Sequence, residues 1–140
     1  MFKNILLATD GSAHSQRAVE QAIQMVSPYK NEVTIELVYA VDGEVSKEDI
    51  LQYGDSHTAT IKRKEKFYET IKEIEANGLT ADITILHGDP AESIIEYSNE
   101  RSYDCVVVGS RGRNKLQTLI LGSVSHKLMK YIKAPVMVVK

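Results

Sequence analysis

Short apolar runs alternate along the chain with longer stretches in which apolar residues recur at helical spacing. Runs of about four to eight apolar residues are typical of buried strands, and recurrence at every third or fourth position is typical of amphipathic helices. The pattern predicts five strands, at Asn4–Thr9, Val33–Val41, Asp82–Ile85, Cys105–Val108 and Val136–Val139. It also predicts four helices, from Ser12 or Ser15 to Val26, from Thr58 to Asn77, from Pro90 to Arg101 and from Ser123 to Tyr131.

The second and third helices differ in how well their ends are marked. Asp89-Pro90-Ala91-Glu92 predicts a helix start, because it combines an Asp N-cap, Pro at the first helical position and a Glu that can return a capping bond. Before the second helix, the stretch from Glu44 to His57 contains Gly54 and many charges, and we expect a loop with a short helix there. The second helix itself is predicted to bury one apolar stripe, which comprises Ile61, Tyr68, Ile71 and Ile74.

This alternation of strands and helices predicts an α/β fold. Right-handed crossovers between successive strands produce an open, mainly parallel five-stranded sheet with helices on both faces. In the strand order 3-2-1-4-5 the chain reverses between strands one and four, and open α/β sheets bind ligands at the carboxyl ends of the strands beside such a reversal. The chain has 140 residues without an evident linker or repeat, so we expect one domain over residues 1–140.

Strand five is predicted to lie at a sheet edge, yet Val136-Met137-Val138-Val139 carries no charge. Exposed edge strands of that kind invite pairing with another chain. We therefore expect a homodimer formed through residues 136–139. Strand three, in contrast, alternates apolar and polar residues, as expected of an edge strand with one face in water.

Composition narrows the class of partner. Seventeen Lys and Arg against nineteen Asp and Glu give a formal charge of -2, which offers no general attraction to nucleic acid or to an acidic membrane. No stretch approaches the roughly 18 apolar residues of a membrane helix, and the start of the chain lacks the pattern of a signal peptide. The single cysteine, Cys105, lies in an apolar run and is expected to be a buried residue of a cytoplasmic protein.

The segment after strand four carries the strongest chemical signal. Gly109 and Gly112 allow a sharp turn and a close approach of the backbone, and Gly122 and Ser123 stand at the start of helix four. Backbone amides at a helix start favour phosphate, and Val124 and Ser125 extend that start. From the spacing alone, a phosphate site and a pair of ordinary turns both remain open.

The segment matches neither a Walker A loop nor a dinucleotide fingerprint, but has the form Gly-x2-Gly-x9-Gly-Ser. With this motif the chain resembles the universal stress protein family, in its ATP-binding subclass. The resemblance covers the whole length, through Ile5-Leu-Leu-Ala-Thr-Asp-Gly-Ser12, Gly88-Asp-Pro-Ala91, Val106-Val-Val-Gly-Ser-Arg-Gly112, Leu121-Gly-Ser-Val-Ser-His126 and Ala134-Pro-Val-Met-Val-Val139. It implies a Rossmann-like fold of the adenine nucleotide alpha hydrolase type and a dimer through strand five.

The resemblance also implies a ligand, which is ATP or another adenine nucleotide such as ADP or AMP. The implied nucleoside contacts are Ala8, Thr9 and Asp10, with the backbone of Ala40 and Val41 meeting the adenine. The implied ribose and phosphate contacts are Gly109, Ser110, Arg111, Gly112, Gly122, Ser123, Val124 and Ser125.

Catalytic and metal-binding residues are less evident. Asp10 can orient a ribose hydroxyl or a metal-bound water, or simply end strand one. The four histidines show no metal-ligand spacing, so any Mg²⁺ or Mn²⁺ is expected to enter only with the phosphates. Phosphoryl transfer needs a positioned nucleophile and charge aimed at the transition state, and no general base is evident. We therefore expect a nucleotide-dependent stress-response or signalling module; the alternatives are a slow ATP hydrolase or nucleotidyl-transfer enzyme, and a dimeric scaffold with a vestigial pocket.

Overall fold

A computed structural model describes residues 2–10, 13–109 and 123–140 of the protein. The strands are β1 (Asn4–Ala8), β2 (Thr34–Val41), β3 (Thr80–His87), β4 (Cys105–Gly109) and β5 (Val136–Val139). The α-helices are α1 (Ala13–Val26), α2 (Gly43–Tyr53), α3 (Ser56–Glu65), α4 (Tyr68–Ala76), α5 (Pro90–Asn99) and α6 (Ser123–Tyr131). A 3-10 helix, Ser27–Glu32, follows α1.

The five strands form one parallel sheet in the order β3-β2-β1-β4-β5, which confirms the predicted fold class and strand order. Successive residues of each strand face opposite sides of the sheet, and each side is covered by helices. One core packs α1 and α4 on residues such as Ile5, Leu7 and Leu37. The other core packs α5 and α6 on residues such as Leu6 and Val106. Burial on both faces explains why β1 from Ile5 onwards and β4 are continuously apolar.

The predicted features of β3 and α5 are confirmed. β3 is an edge strand of the sheet and extends to His87, because it pairs with β2 along its whole length. The α5 helix begins at Pro90, and the Asp89 side chain accepts a hydrogen bond from the Glu92 backbone N–H at 3.0 Å. Because this cap joins residues only three positions apart, the sequence alone predicts it.

Between β2 and β3 the structure confirms one prediction and corrects another. The short helix expected between Glu44 and His57 is the 11-residue α2, which begins one residue earlier, at Gly43, and occupies most of that stretch. The single helix expected from Thr58 is divided into α3 and α4 by a turn at Lys66 and Phe67. Half of the predicted stripe is confirmed: Ile74 lies in the core and Ile71 packs against it, whereas Ile61 and Tyr68 are 42% and 48% exposed. The inner face of α3 buries Ala59 and Arg63 instead.

Within the part of the chain that the structure describes, no helix has both the length and the apolar character needed to cross a membrane.

Candidate functional site

The carboxyl ends of β1 and β4 lie side by side, at the reversal in strand order. Leu7 of β1 is the register partner of Val107 of β4, so the residues that follow each strand emerge at the same edge of the sheet. These residues are Thr9 and Asp10 after β1 and Gly109 at the end of β4. The geometry brings three described predicted contacts, Thr9, Asp10 and Gly109, to the same edge of the sheet, which is where ligands of open parallel sheets bind.

Asp10 is oriented by the first turn of α1. The Ser15 hydroxyl donates to Asp10 Oδ1 at 2.6 Å, and it accepts the Asp10 backbone N–H at 3.0 Å. Ser15 is buried, so this exchange holds the carboxylate in one direction beside the end of β1. The sequence predicted Ser15 only as a possible start of the first helix, and its position five residues after Asp10 is the signal that points to this second role.

Ala40 and Val41, the residues predicted to meet the adenine, direct their backbones to different neighbours. The Val38 carbonyl accepts from the Thr9 N–H of the β1 side at 2.9 Å, and the Val41 carbonyl accepts from the Gly88 N–H of the β3 side at 2.9 Å. Because backbone groups of a strand alternate between its two neighbours, the Ala40 carbonyl faces the β1 side, past the end of that strand. Ala40 therefore directs its carbonyl to the crevice, whereas the Val41 carbonyl is part of the sheet.

The start of α6 is joined to the end of β4 by a side chain. Ser125 is buried, and its hydroxyl donates to the Gly109 carbonyl at 2.5 Å. Ser123 and Val124, in contrast, are exposed at the first turn of α6. The three predicted contacts in this helix therefore differ in their surroundings. The Ser125 hydroxyl is hydrogen-bonded to Gly109, whereas Ser123 and Val124 are exposed to solvent.

Four of the predicted contacts, Ser110, Arg111, Gly112 and Gly122, lie outside the described residues. Among the residues that are described, no group of three His, Cys, Asp or Glu side chains is arranged to hold a metal ion. Cys105 is buried on β4, and burial raises the pKa of its thiol. A raised pKa keeps the thiol protonated, which agrees with the expected structural role.

Comparison with known proteins identifies relatives over the whole chain. The sequence model of the universal stress protein family matches residues 1–140. The stress response protein NhaX of Bacillus subtilis is 33% identical, with 97% of this chain and 96% of that protein covered. The universal stress protein YxiE of the same organism is 32% identical, with both chains covered completely.

Solved structures agree in fold. The structure of MJ0577, a universal stress protein of Methanocaldococcus jannaschii, is 28% identical, covers 100% of this chain and 96% of that chain, and has a TM-score of 0.82. A universal stress protein family protein from Arabidopsis thaliana, solved with AMP bound, is 23% identical over 99% of this chain and 91% of that chain, with a TM-score of 0.70. A universal stress protein solved in complex with cAMP is 24% identical over 99% of this chain and 97% of that chain, with a TM-score of 0.72.

Proposed function

The chain belongs to the universal stress protein family, and on that premise we propose that it binds an adenine nucleotide, ATP in particular, in the crevice between β1 and β4. In this proposal the protein acts in the cytoplasm as a nucleotide-dependent stress-response or signalling module. Any Mg²⁺ or Mn²⁺ enters on the phosphates.

The observation that carries the proposal is the set of groups at one edge of the sheet. The Ala40 carbonyl is an acceptor on the side where the adenine is expected, and the Asp10 carboxylate, held by Ser15, is an acceptor suited to a ribose hydroxyl. The exposed first turn of α6, with Ser123 and Val124, offers donors to phosphate. An adenine, a ribose and phosphates laid along this edge would meet these groups in that order, and this agreement supports the proposed nucleotide site.

The relatives support the same ligand class. The proteins of this fold that were solved with AMP and with cAMP carry adenine in common and differ in their phosphates. The choice of ATP for this chain rests on its own Gly-x2-Gly-x9-Gly-Ser motif, which supplies glycines at both ends of a loop long enough to surround a polyphosphate.

Calorimetry with ATP tests the proposal. We expect the wild-type protein to bind ATP, and Gly122→Val to weaken binding more than about tenfold, because a branched side chain blocks hydrogen bonds to phosphate that are worth about 1.5–3 kcal/mol each. Ser102→Ala, which changes an exposed serine at the opposite end of the sheet, is the control and should leave the affinity unchanged. Unchanged ATP affinity in a folded Gly122→Val protein would show that the loop does not hold the phosphates.

We also propose that two copies of the chain associate through β5. This strand lies at the edge of the sheet, where it pairs with β4 on one side, and the side chains of Val136, Met137 and Val138 are only partly buried. Met129 and Tyr131 of the neighbouring α6 are exposed as well. Apolar residues on an edge strand and beside it favour a second copy of the same strand as the partner.

A further inference from the structure

Helix α2 is attached to the rest of the protein in an unusual way. Among its described side chains, those from residue 47 to residue 53, Asp49 is the only buried one, and Leu51 is 86% exposed. Helices of globular proteins are ordinarily held by an apolar face. In the described part of α2 the apolar side chains of Ile50 and Tyr53 are only half-buried, so Asp49 makes the most deeply buried contact among the described side chains of this helix.

The partner of Asp49 is Arg63 on α3, which is 1% exposed. Arg63 Nε donates to Asp49 Oδ2 at 2.6 Å, and the two residues form an ion pair between the helices. Arg63 occupies the inner row of α3, one turn after the buried Ala59. The Arg63 guanidinium is therefore buried on the inner side of α3, and the Asp49 side chain of α2 contacts it there.

This ion pair uses only one edge of the guanidinium. The two terminal nitrogens of Arg63 are buried and have no acceptor among the described residues. A two-point pair is the stronger arrangement for arginine and a carboxylate, and unpaired buried donors carry a desolvation cost. When α2 separates from α3, water can reach these donors, and their hydration offsets part of the lost attraction.

The position of α2 relates the ion pair to the crevice. The helix starts at Gly43, two residues after the last residue of β2, and so continues directly from the segment expected to meet the adenine. At its other end Gly54 has a φ of +94°, a conformation that glycine adopts readily and other residues rarely do. A short helix with one end at the crevice and a glycine turn at the other can move as a unit.

We propose that α2 is a lid over the adenine end of the crevice and that the Asp49–Arg63 ion pair is its latch. The proposal rests on the proposed nucleotide site and adds its regulation: opening of the latch sets how fast a nucleotide enters and leaves. Asp49 and Arg63 are positioning residues, since they act through α2 and not by contact with the ligand.

Two opposite changes of the latch form the first test. Asp49→Asn removes the charge that pairs with Arg63 and should release α2. The double variant Asp49→Leu with Arg63→Met replaces the ion pair by an apolar contact. Replacing a buried ion pair by apolar residues of similar size is often neutral or stabilising, and here it should hold α2 more firmly. Lys62→Met is the matched control: Lys62 lies next to Arg63 on α3, and its ion pair, with Glu65, is exposed.

Hydrogen exchange of the backbone amides measures the latch directly. We expect exchange in residues 43–53 to become at least about tenfold faster in Asp49→Asn, slower in the double variant and unchanged in Lys62→Met, with β1 amides as the internal reference. Acceleration that is equal in residues 43–53 and in β1 would mean general destabilisation and would overturn the proposal. So would an unchanged rate in residues 43–53.

Stopped-flow binding measures the opening of the lid, with an ATP analogue whose fluorescent label is on the γ-phosphate, so that the ribose hydroxyls remain available to Asp10. The Asp49→Asn protein should bind and release this nucleotide faster, both rate constants rising at least about threefold, and the double variant should slow both. If the affinity changes through the release rate alone, the site is merely destabilised and α2 is not a lid. If both rates stay unchanged although hydrogen exchange in residues 43–53 is faster, the lid is likewise contradicted. If the wild-type protein binds no nucleotide, the proposed function fails, whereas the exchange experiment still decides whether the latch exists.

Discussion

At the scale of single residues, a glutamate inside the sheet shows how a polar side chain is accommodated. Glu36 of β2 accepts hydrogen bonds from three hydroxyl groups, those of Thr84, Tyr97 and Tyr103. Burial and the neighbouring Glu36 carboxylate strongly raise the pKa of Tyr103, so its hydroxyl remains a donor at every physiological pH. Three hydroxyl donors satisfy the oxygens of this partly buried side chain, which lowers the cost of placing a polar group there.

A second carboxylate joins the first strand to the fourth. Asp104, which immediately precedes β4, accepts the backbone N–H groups of Asn4 and Lys3 at 2.8 Å each. These two bonds lower the pKa of Asp104 below its ordinary value of 3.8. A group whose pKa is lower in the folded protein stabilises it above the unfolded pKa, and that contribution is lost as the pH falls through the folded pKa.

The expected consequence is a pH-dependent effect of Asp104→Asn. At pH 7 the variant should unfold at a lower temperature than the wild-type protein, because the neutral amide is a weaker acceptor for two backbone donors. The difference should narrow progressively as the pH falls from the pKa of the unfolded chain, about 3.9, towards the lower pKa of Asp104 in the folded protein. Thermal unfolding followed by circular dichroism from pH 7 to pH 3 checks this, and a difference that stays constant over the range would contradict it.

At the scale of elements, the crevice depends on how β4 and α6 are joined. Gly109 is the last residue of β4 and Ser125 lies in the first turn of α6, and the hydrogen bond from the Ser125 hydroxyl to the Gly109 carbonyl joins the two elements. This bond fixes the start of α6 relative to the end of β4, which lies beside β1. Ser125 thus positions the first turn of α6, which carries the exposed Ser123 and Val124.

Removal of this hydroxyl should destabilise the protein. Ser125→Ala leaves the Gly109 carbonyl without its buried donor, and we expect a loss of about 1–2 kcal/mol in the free energy of unfolding. Ser125→Thr keeps the hydroxyl and should recover most of that loss, while Ser123→Ala changes an exposed serine two residues away and should have little effect. Urea unfolding curves of the three variants provide the measurement; equal stability of Ser125→Ala and the wild-type protein would exclude the tie.

At the scale of the whole molecule, the two edges of the sheet are unlike. β3 carries Asp82 and Thr84, whereas β5 carries only apolar residues. The Val106 N–H donates to the Pro135 carbonyl, so the backbone groups of Pro135 face β4. Residues two positions apart in a strand face the same neighbour, so the backbone groups of Met137 also face β4. By alternation the N–H and carbonyl of Val138 face away from β4, towards the proposed partner.

This geometry predicts which backbone change separates the dimer. Val138→Pro removes the outward N–H and leaves the ladder between β4 and β5 intact, so it should convert a dimer into a monomer. Val138→Ala shortens the side chain, keeps the N–H and should remain dimeric. Sedimentation velocity at tens of micromolar distinguishes the two, with circular dichroism to establish that both are folded. A wild-type protein that sediments as a monomer would rule out this interface.

Much of the architecture was determined by the sequence alone. The parallel sheet, its strand order, the edge position of β3 and the start of α5 at Pro90 were all predicted and are confirmed. These features depend on the period of apolar residues and on capping residues a few positions apart, and such local patterns are visible in a single chain. The placement of Asp10 and Gly109 at one edge followed from the strand order.

Only the tertiary structure decided which polar groups meet. Arg63 lies in a run of charges that resembles an exposed helix face, yet it is buried on Asp49, and the turn at Lys66 and Phe67 that places it there had no signal in the periodicity. The hydroxyl of Ser125 bonds to a carbonyl 16 positions away. The physical reason is that a hydrogen bond or an ion pair depends on where the packed helices bring two groups, and residue spacing along the chain does not encode that position.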